Sequence, residues 1–344
     1  MKTSLLYLTL LLTGLTTVQA EEWKQIVSLR GDWKFSLGDD ASWASPSLSD
    51  DHWNSIRVPG SWENQGFEGY DGYAWYRVKV TIPERKSPRP LYLHLGYIDD
   101  ASEVYLNGIL IGKSGEFPPG FNSSFNNFQR YYIHPELLRS GQEQVIAIRV
   151  YDGALSGGIS HGRIGIFELN DAPELNVNMA GRWKFTPGDS PDYRDELFDE
   201  GPWSSVWVPS AWETQGFRGY DGYGWYRIRF KVPEYLLDQP LVLLLGKIDD
   251  VDEAWVNGCF VGRTGRLGPG SDFYQEYREL RAYLMPPGTF TNGVNVLAVR
   301  VYDNLLNGGI YEGPIGLISL DRYRDWEKSQ RTTSSPVEYL PANN

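Results

Sequence analysis

Short apolar runs separated by turn residues set the pattern of this chain. Trp75–Thr81 alternates aromatic or apolar residues with Arg77 and Lys79, the period of a strand with one wet face. Leu91–Leu95 is almost continuously apolar and suits a strand in a sandwich core. Glu103–Leu106 and Ile109–Ile111 flank Asn107-Gly108, and Trp255–Val256 and Cys259–Val261 flank Asn257-Gly258. Asn-Gly supplies the two φ > 0 residues of a type I′ turn, so both segments read as β-hairpins. Val145–Tyr151 alternates Val, Ala and Arg149 before a Gly-rich turn, and Ile164–Leu169 follows as a last strand. No long stretch has a helical apolar period, and 37 Gly and 21 Pro punctuate the whole chain. Short strands joined by long, aromatic, Gly-rich connections predict an all-β protein of two-sheet jelly rolls.

The pattern occurs twice. WENQGFEGYDGYAWYR at 62–77 returns as WETQGFRGYDGYGWYR at 212–227, an offset of 150 residues. That spacing is far beyond the roughly 20–50 residues of solenoid repeats, so it predicts two copies of a whole domain. Trp33 pairs with Trp183, Trp53 with Trp203, LGYIDD with LGKIDD, and Asn107-Gly108 with Asn257-Gly258. RVYD at 149–152 and 300–303 pair at an offset of 151, which predicts one inserted residue between Gly112 and Arg149. The expected organisation is a signal peptide over 1–20, jelly roll copy one over 21–172, copy two over 173–322 and a loosely ordered polar tail over 323–344. The linker Asn170–Pro173 is short enough that the two copies should touch.

The signal peptide reading rests on Lys2, the apolar run Leu5–Leu15 and the small-x-small site Val18-Gln19-Ala20. It predicts a secreted or periplasmic protein without membrane insertion. The net charge of −12 argues against nucleic acid or an anionic membrane as partner. Cys259 is the sole thiol, so no internal disulfide is possible, and its place in a strand suggests a buried, inert residue.

VPGSWENQGFEGYDGYAWYRVKVTIP, LGYIDDASEVYLNGILIG and IAIRVYDGALSGGISHGRIG resemble the galactose-binding-like jelly roll at the N-terminus of family 2 glycoside hydrolases, of the β-galactosidase and β-glucuronidase type. The resemblance covers most of both copies and implies a sugar-binding fold. In those hydrolases two catalytic glutamates lie on a (β/α)₈ barrel after the jelly roll. The sequence stops after the second copy, so the expectation is that the fold carries over without the hydrolytic chemistry.

The residues themselves offer few catalytic motifs. The four His residues all lie in copy one, and no zinc-type cluster of His and Cys occurs. Asp99-Asp100 with Glu103, and Asp249-Asp250 with Glu253, leave a structural calcium open beside the reading that they cap a turn; no other cofactor is expected. Two shared loops carry the candidate sugar contacts. They supply Trp62, Glu63, Tyr70, Asp71, Tyr73 and Asp152 in copy one, and Trp212, Glu213, Tyr220, Asp221, Tyr223 and Asp303 in copy two. Aromatic faces stack on sugar C–H faces while carboxylates accept from hydroxyls. The alternatives are core packing, simple turns, or a contact between the copies. Trp33, Trp53, Trp75 and their counterparts read as core, and Arg77, Arg149, Arg227 and Arg300 as paired charges within strands. The loop at 113–132, which differs from 263–283, would tune the glycan. The reading is a non-catalytic binder of oligo- or polysaccharide. Its rivals are an accessory subunit that docks a separate glycoside hydrolase, and a hydrolase or lyase with an unfamiliar carboxylate site.

Overall fold

Both Asn-Gly turns take the left-handed backbone that a type I′ hairpin needs: φ is 52° and 83° at Asn107 and Gly108, and 49° and 76° at Asn257 and Gly258. The Asn107 amide does more than turn the chain. It donates to Leu137 O (2.9 Å) and Gln144 Oε1 (2.7 Å) and accepts from Val145 N (3.0 Å). The computed structural model describes residues 22–139, 141–266, 276–285 and 288–332. The expected signal peptide therefore lies outside the described residues.

Copy one contains β1 (Trp23–Ser28), β2 (Gly31–Leu37), β3 (Asn54–Val58), β4 (Gly72–Thr81) and β5 (Leu91–Asp99). It continues with β6 (Ala101–Leu106), β7 (Ile109–Ser114), β8 (Phe128–Ile133), β9 (Glu143–Asp152) and β10 (Gly158–Leu169). These form a four-stranded sheet β1-β10-β5-β8 and a six-stranded sheet β3-β2-β4-β9-β6-β7. Copy two repeats the pattern with β11 (Val177–Asn178), β12 (Gly181–Pro187), β13 (Ser204–Val208), β14 (Gly222–Lys231) and β15 (Leu241–Asp249). Then come β16 (Val251–Val256), β17 (Cys259–Thr264), β18 (Arg281–Leu284), β19 (Val294–Asp303) and β20 (Gly309–Ser319). Its sheets run β11-β20-β15-β18 and β13-β12-β14-β19-β16-β17. The chain is thus all-β, two tandem jelly-roll sandwiches.

Alternation along the strands places the core between the sheets. In copy one Leu93, Leu95, Ile164 and Ile166 from the four-stranded sheet meet Phe35, Tyr76, Ile146, Ile148 and Val150 from the six-stranded sheet. A smaller apolar cluster covers the outer face of the six-stranded sheet, where Trp75 packs with Trp43 and Trp53 and stacks on Tyr105. Of the expected core tryptophans, Trp33, Trp53, Trp75, Trp183 and Trp225 are buried and Trp203 is half-buried against Tyr193, and Arg77 and Arg227 are fully buried strand charges paired with Asp50 (2.9 Å) and Glu200 (3.2 Å). Gly96 and Gly246 sit at φ 64° where β10 and β20 pass so close that a Cβ would lie 2.0 Å from His161 O and 1.8 Å from Glu312 O. Only glycine fits such a bulge.

Three expectations need correction. Strand pairing sets Leu93 opposite Tyr131 and Leu243 opposite Tyr283, an offset of 283 − 131 = 152 at β8 and β18. Copy two therefore gains two residues between β7 and β8 and loses one before β9, where a single insertion was expected. Cys259 is exposed, because β17 is an edge strand and its first residue faces solvent. The segment from 323 does not begin a loose tail: Leu320–Thr332 is a helix, α1. Leu320 and Tyr323 pack beside Val242, Leu244 and Ile318, and Trp326 Nε1 donates to Asp171 O in the linker (2.6 Å). Among the described residues no helix is long and apolar enough to cross a membrane.

Candidate functional site

The loop between β3 and β4 is closed by its own side chains, in the same way in both copies. Gln65 Nε2 donates to Arg57 O (3.1 Å) and Ser61 O (3.1 Å) while its Oε1 accepts from Arg57 N (2.7 Å). Trp62 Nε1 donates to Tyr70 O (3.2 Å), and Tyr70 OH donates to Tyr73 O (2.8 Å). Gln215, Trp212 and Tyr220 make the equivalent bonds. Trp62 and Trp212 were expected among the sugar contacts, and this is corrected: both are 0% exposed and belong to the sandwich cores, so neither ring offers a face for stacking. Each indole lies directly under the loop that follows β9 or β19. A Cβ on Gly157 or Gly308 would come within 2.1 or 2.2 Å of it. That close approach explains why Trp62 and the Gly157-Gly158-Ile159 motif recur together.

Carboxylates gather where this loop meets the ends of β5 and β9. Asp99, Asp100 and Asp152 each place one oxygen within 4.8 Å of the others, and Asp249, Asp250 and Asp303 do the same. Asp100 Oδ2 accepts from Gly153 N (2.9 Å) and its Oδ1 from the Ser123 hydroxyl. Glu63 Oε1 accepts from Gly157 N (3.0 Å), and both Glu213 oxygens accept from Gly308 N (3.1 Å). Asp152 and Asp303 are fully buried, and each has an Oδ2 without a hydrogen-bond partner. Burial first, then the surrounding carboxylates, pushes Asp152 and Asp303 up to about 7. Burial likewise raises Glu213 to about 8, and it raises Asp99 and Asp249, each beside its neighbouring aspartate.

Glu103 and Glu253 do not join these clusters, contrary to the sequence grouping. Strand alternation turns Glu103 to the outer face of β6, where it accepts from Tyr105 OH (2.8 Å) and Arg149 Nη1 (3.2 Å). Glu253 meets Arg300 (3.4 Å). Arg149 also binds Asp39 through Nε (2.7 Å) and lies 4.7 Å over the Tyr73 ring, as Arg300 lies 4.4 Å over Tyr223. Tyr73 and Tyr223 are half-buried by these contacts, Tyr70 and Tyr220 by core packing, while Asp71 and Asp221 are exposed.

The β7–β8 connection of copy one adds exposed rings to this end of the sandwich, which the shared loops alone did not reveal. Ser123 and Ser124 fasten it to Asp100, and the Phe121 ring packs 5.3 Å from Tyr151. Phe121 is 43% exposed, Phe125 52% and Leu155 89%. Sequence reasoning marked this loop as variable and aromatic but had no signal that two serines would anchor it to Asp100. The matching stretch 267–275 lies outside the described residues.

The two copies are not placed equivalently. Arg218, in the loop of copy two, pairs with Glu103 of copy one. Glu312, just after Gly308-Gly309-Ile310, bonds Arg130 (3.0 Å) of copy one and Lys247 (2.6 Å). His134 Nε2 meets Pro209 O (3.1 Å), and its ring packs 4.7 Å from Trp207. One shared loop therefore forms part of an inter-copy contact, as one reading allowed, and Glu213 is buried where Glu63 is only half-buried.

No family model matches the chain. Over 131 residues it is 24% identical to the beta-galactosidase BoGH2A of Bacteroides ovatus, a match covering 35% of this chain and 14% of that protein. Over 167 residues it is 26% identical to a beta-galactosidase of Photobacterium profundum, covering 42% of this chain and 15% of that protein. The matched stretches are thus only 14% and 15% of the length of these curated relatives. Among solved structures, beta-glucuronidase 2 of Bacteroides uniformis aligns over 85% of this chain and 28% of its own, at 13% identity and a TM-score of 0.37. The chain resembles family 2 glycoside hydrolases of the beta-galactosidase type over a part of their length, as its residues implied.

Proposed function

We propose that this is an exported, non-catalytic carbohydrate-binding protein, and that the loop end of copy one, where the β3–β4 and β7–β8 connections meet, is its principal binding surface. The observation that carries the reading is the pairing there of exposed rings, Phe121 and Phe125, with the half-buried carboxylates at 99 and 100; Asp152, expected among the sugar contacts, is fully buried beneath them. Stacking surface beside hydroxyl acceptors is what a sugar needs. Glu63, Tyr70, Asp71 and Tyr73 border the same end. The sequence relatives support carbohydrate as the ligand class, since those named are beta-galactosidases. Export is supported by the pattern at Lys2, Leu5–Leu15 and Val18–Ala20. In copy two, Tyr220, Asp221 and Tyr223 remain at least partly exposed and serve a second site, while Glu213 and Asp303 are buried and do not reach a ligand.

A hydrolase reading is favoured by one observation: burial raises Asp152 and Glu213 into the neutral range, where a carboxyl can act as an acid. Affinity electrophoresis through a panel of polysaccharides, with the substrates checked for cleavage, separates the two. Retardation with intact substrate supports the binder, reducing ends released in proportion to protein support the hydrolase, and neither result removes both.

A further inference from the structure

We propose that each copy holds one oxygen-preferring divalent cation, calcium by its chemistry, among Asp99, Asp100 and Asp152 in copy one and among Asp249, Asp250 and Asp303 in copy two. The spacing is that of ligands around one ion. Calcium takes oxygens at about 2.3–2.6 Å, so any two of its ligands lie within about 5 Å of each other. Here one oxygen from each of three carboxylates lies within 4.8 Å of the other two, in both copies.

An independent feature points into the same space. Asp152 and Asp303 are fully buried, yet each keeps an Oδ2 with no hydrogen-bond donor. A buried carboxylate oxygen without a partner is costly, and three carboxylates together multiply that cost. Among the described residues, no lysine or arginine forms an ion pair with any of the six aspartates. The nearby Arg149 and Arg300 are engaged with Asp39 and Asp189 on the outer sheet face. A bound cation supplies the missing positive charge and gives Oδ2 its partner.

The donor set selects the ion. All three side chains are carboxylates, without the imidazole or thiolate that zinc favours. Magnesium demands near-ideal octahedral geometry, while calcium accepts irregular sets completed by water and carbonyl oxygens. The role is to fasten the end of β5 to the loop after β9. That loop carries an exposed leucine in the left-handed region in each copy, Leu155 at φ 76° and Leu306 at φ 74°. A non-glycine residue is strained in that conformation, and a loop fixed at its base holds it there. The inference does not depend on sugar binding, and its test reads only the metal.

The experiment is calcium titration calorimetry on the chelator-treated full chain, with thermal unfolding followed in parallel. One ion per copy and a Tm that climbs with calcium concentration are expected. Asp152→Asn should remove one ion, Asp303→Asn the other, and the double variant should abolish both the heat and the Tm shift. Magnesium at the same concentration should give a smaller shift. Terbium luminescence sensitised by tryptophan and quenched by added calcium provides a readout on the unaltered protein, should a variant fail to fold. No heat, no Tm shift and no sensitised luminescence at millimolar calcium would overturn the proposal. So would an Asn variant that binds calcium as the parent does.

Discussion

His94 stands where the second copy has Leu244, and its surroundings have adapted only in part. It is 1% exposed among Trp23, Phe128 and Phe167, with no hydrogen-bond partner on either ring nitrogen. Burial first, then Arg130 and Arg163, lowers it to about 3. A histidine whose folded pKa lies below its unfolded value of about 6.5 leaves stability unchanged above pH 6.5 and takes it away as pH falls toward 3. Burial likewise lowers His134 to about 4, so it acts in the same direction. His94→Leu should therefore change little at pH 8 and raise stability by about 1–2 kcal/mol at pH 5, as read by urea unfolding at the two pH values. An identical effect at both would show that His94 is not held neutral. At Gly157 the constraint is steric. Gly157→Ala places a methyl in the Trp62 indole, and overpacking of that kind costs about 1–3 kcal/mol, visible as a lower Tm. Both constraints were half-legible in the sequence: the duplication showed that Gly157 and Trp62 recur, but only the packing shows that they recur because they touch. It is also why Trp62 read as a ligand. An aromatic that recurs in a loop of both copies carries no mark of which way its ring faces.

At the scale of elements, the strands and hairpins followed from alternation and Asn-Gly chemistry, which are local. What escaped was non-local. The helix α1 is polar overall, yet Leu320, Tyr323 and Trp326 recur at a spacing of three, enough to line one face. Its partner is the linker carbonyl of Asp171, which no local pattern discloses. Ending the chain at Asp321 should lower the Tm by several degrees, and an unchanged Tm would mean that α1 only rests on the sheet. The β7–β8 connection is the other case. Its serines reach Asp100 across the fold, and they hold the segment that carries the exposed Phe121 and Phe125. Changing both phenylalanines to alanine should weaken glycan binding at least tenfold and leave the Tm within a degree or two, since both rings are largely exposed.

For the whole molecule, duplication has not produced two equivalent ends. Copy two turns its shared loops toward copy one through Arg218–Glu103 and Arg130–Glu312, and His134 and Trp207 pack between them. Glu312→Arg would set a positive charge against both Arg130 and Lys247. It should loosen the copies by about 1 kcal/mol and broaden or split the calorimetric unfolding transition. A single unaltered transition would show that the copies are held mainly by apolar packing and the linker. The short linker made contact between the copies legible beforehand; which faces would meet was not, because paired charges 182 residues apart leave no trace in a local pattern. The account's central claim is that copy one's open end binds carbohydrate. It is tested most directly by titrating a glycan that retards the chain into the parent protein and into the Phe121→Ala/Phe125→Ala variant. Saturable binding without cleavage, lost in the variant while the fold persists, is the predicted result; equal affinity in both proteins would contradict it.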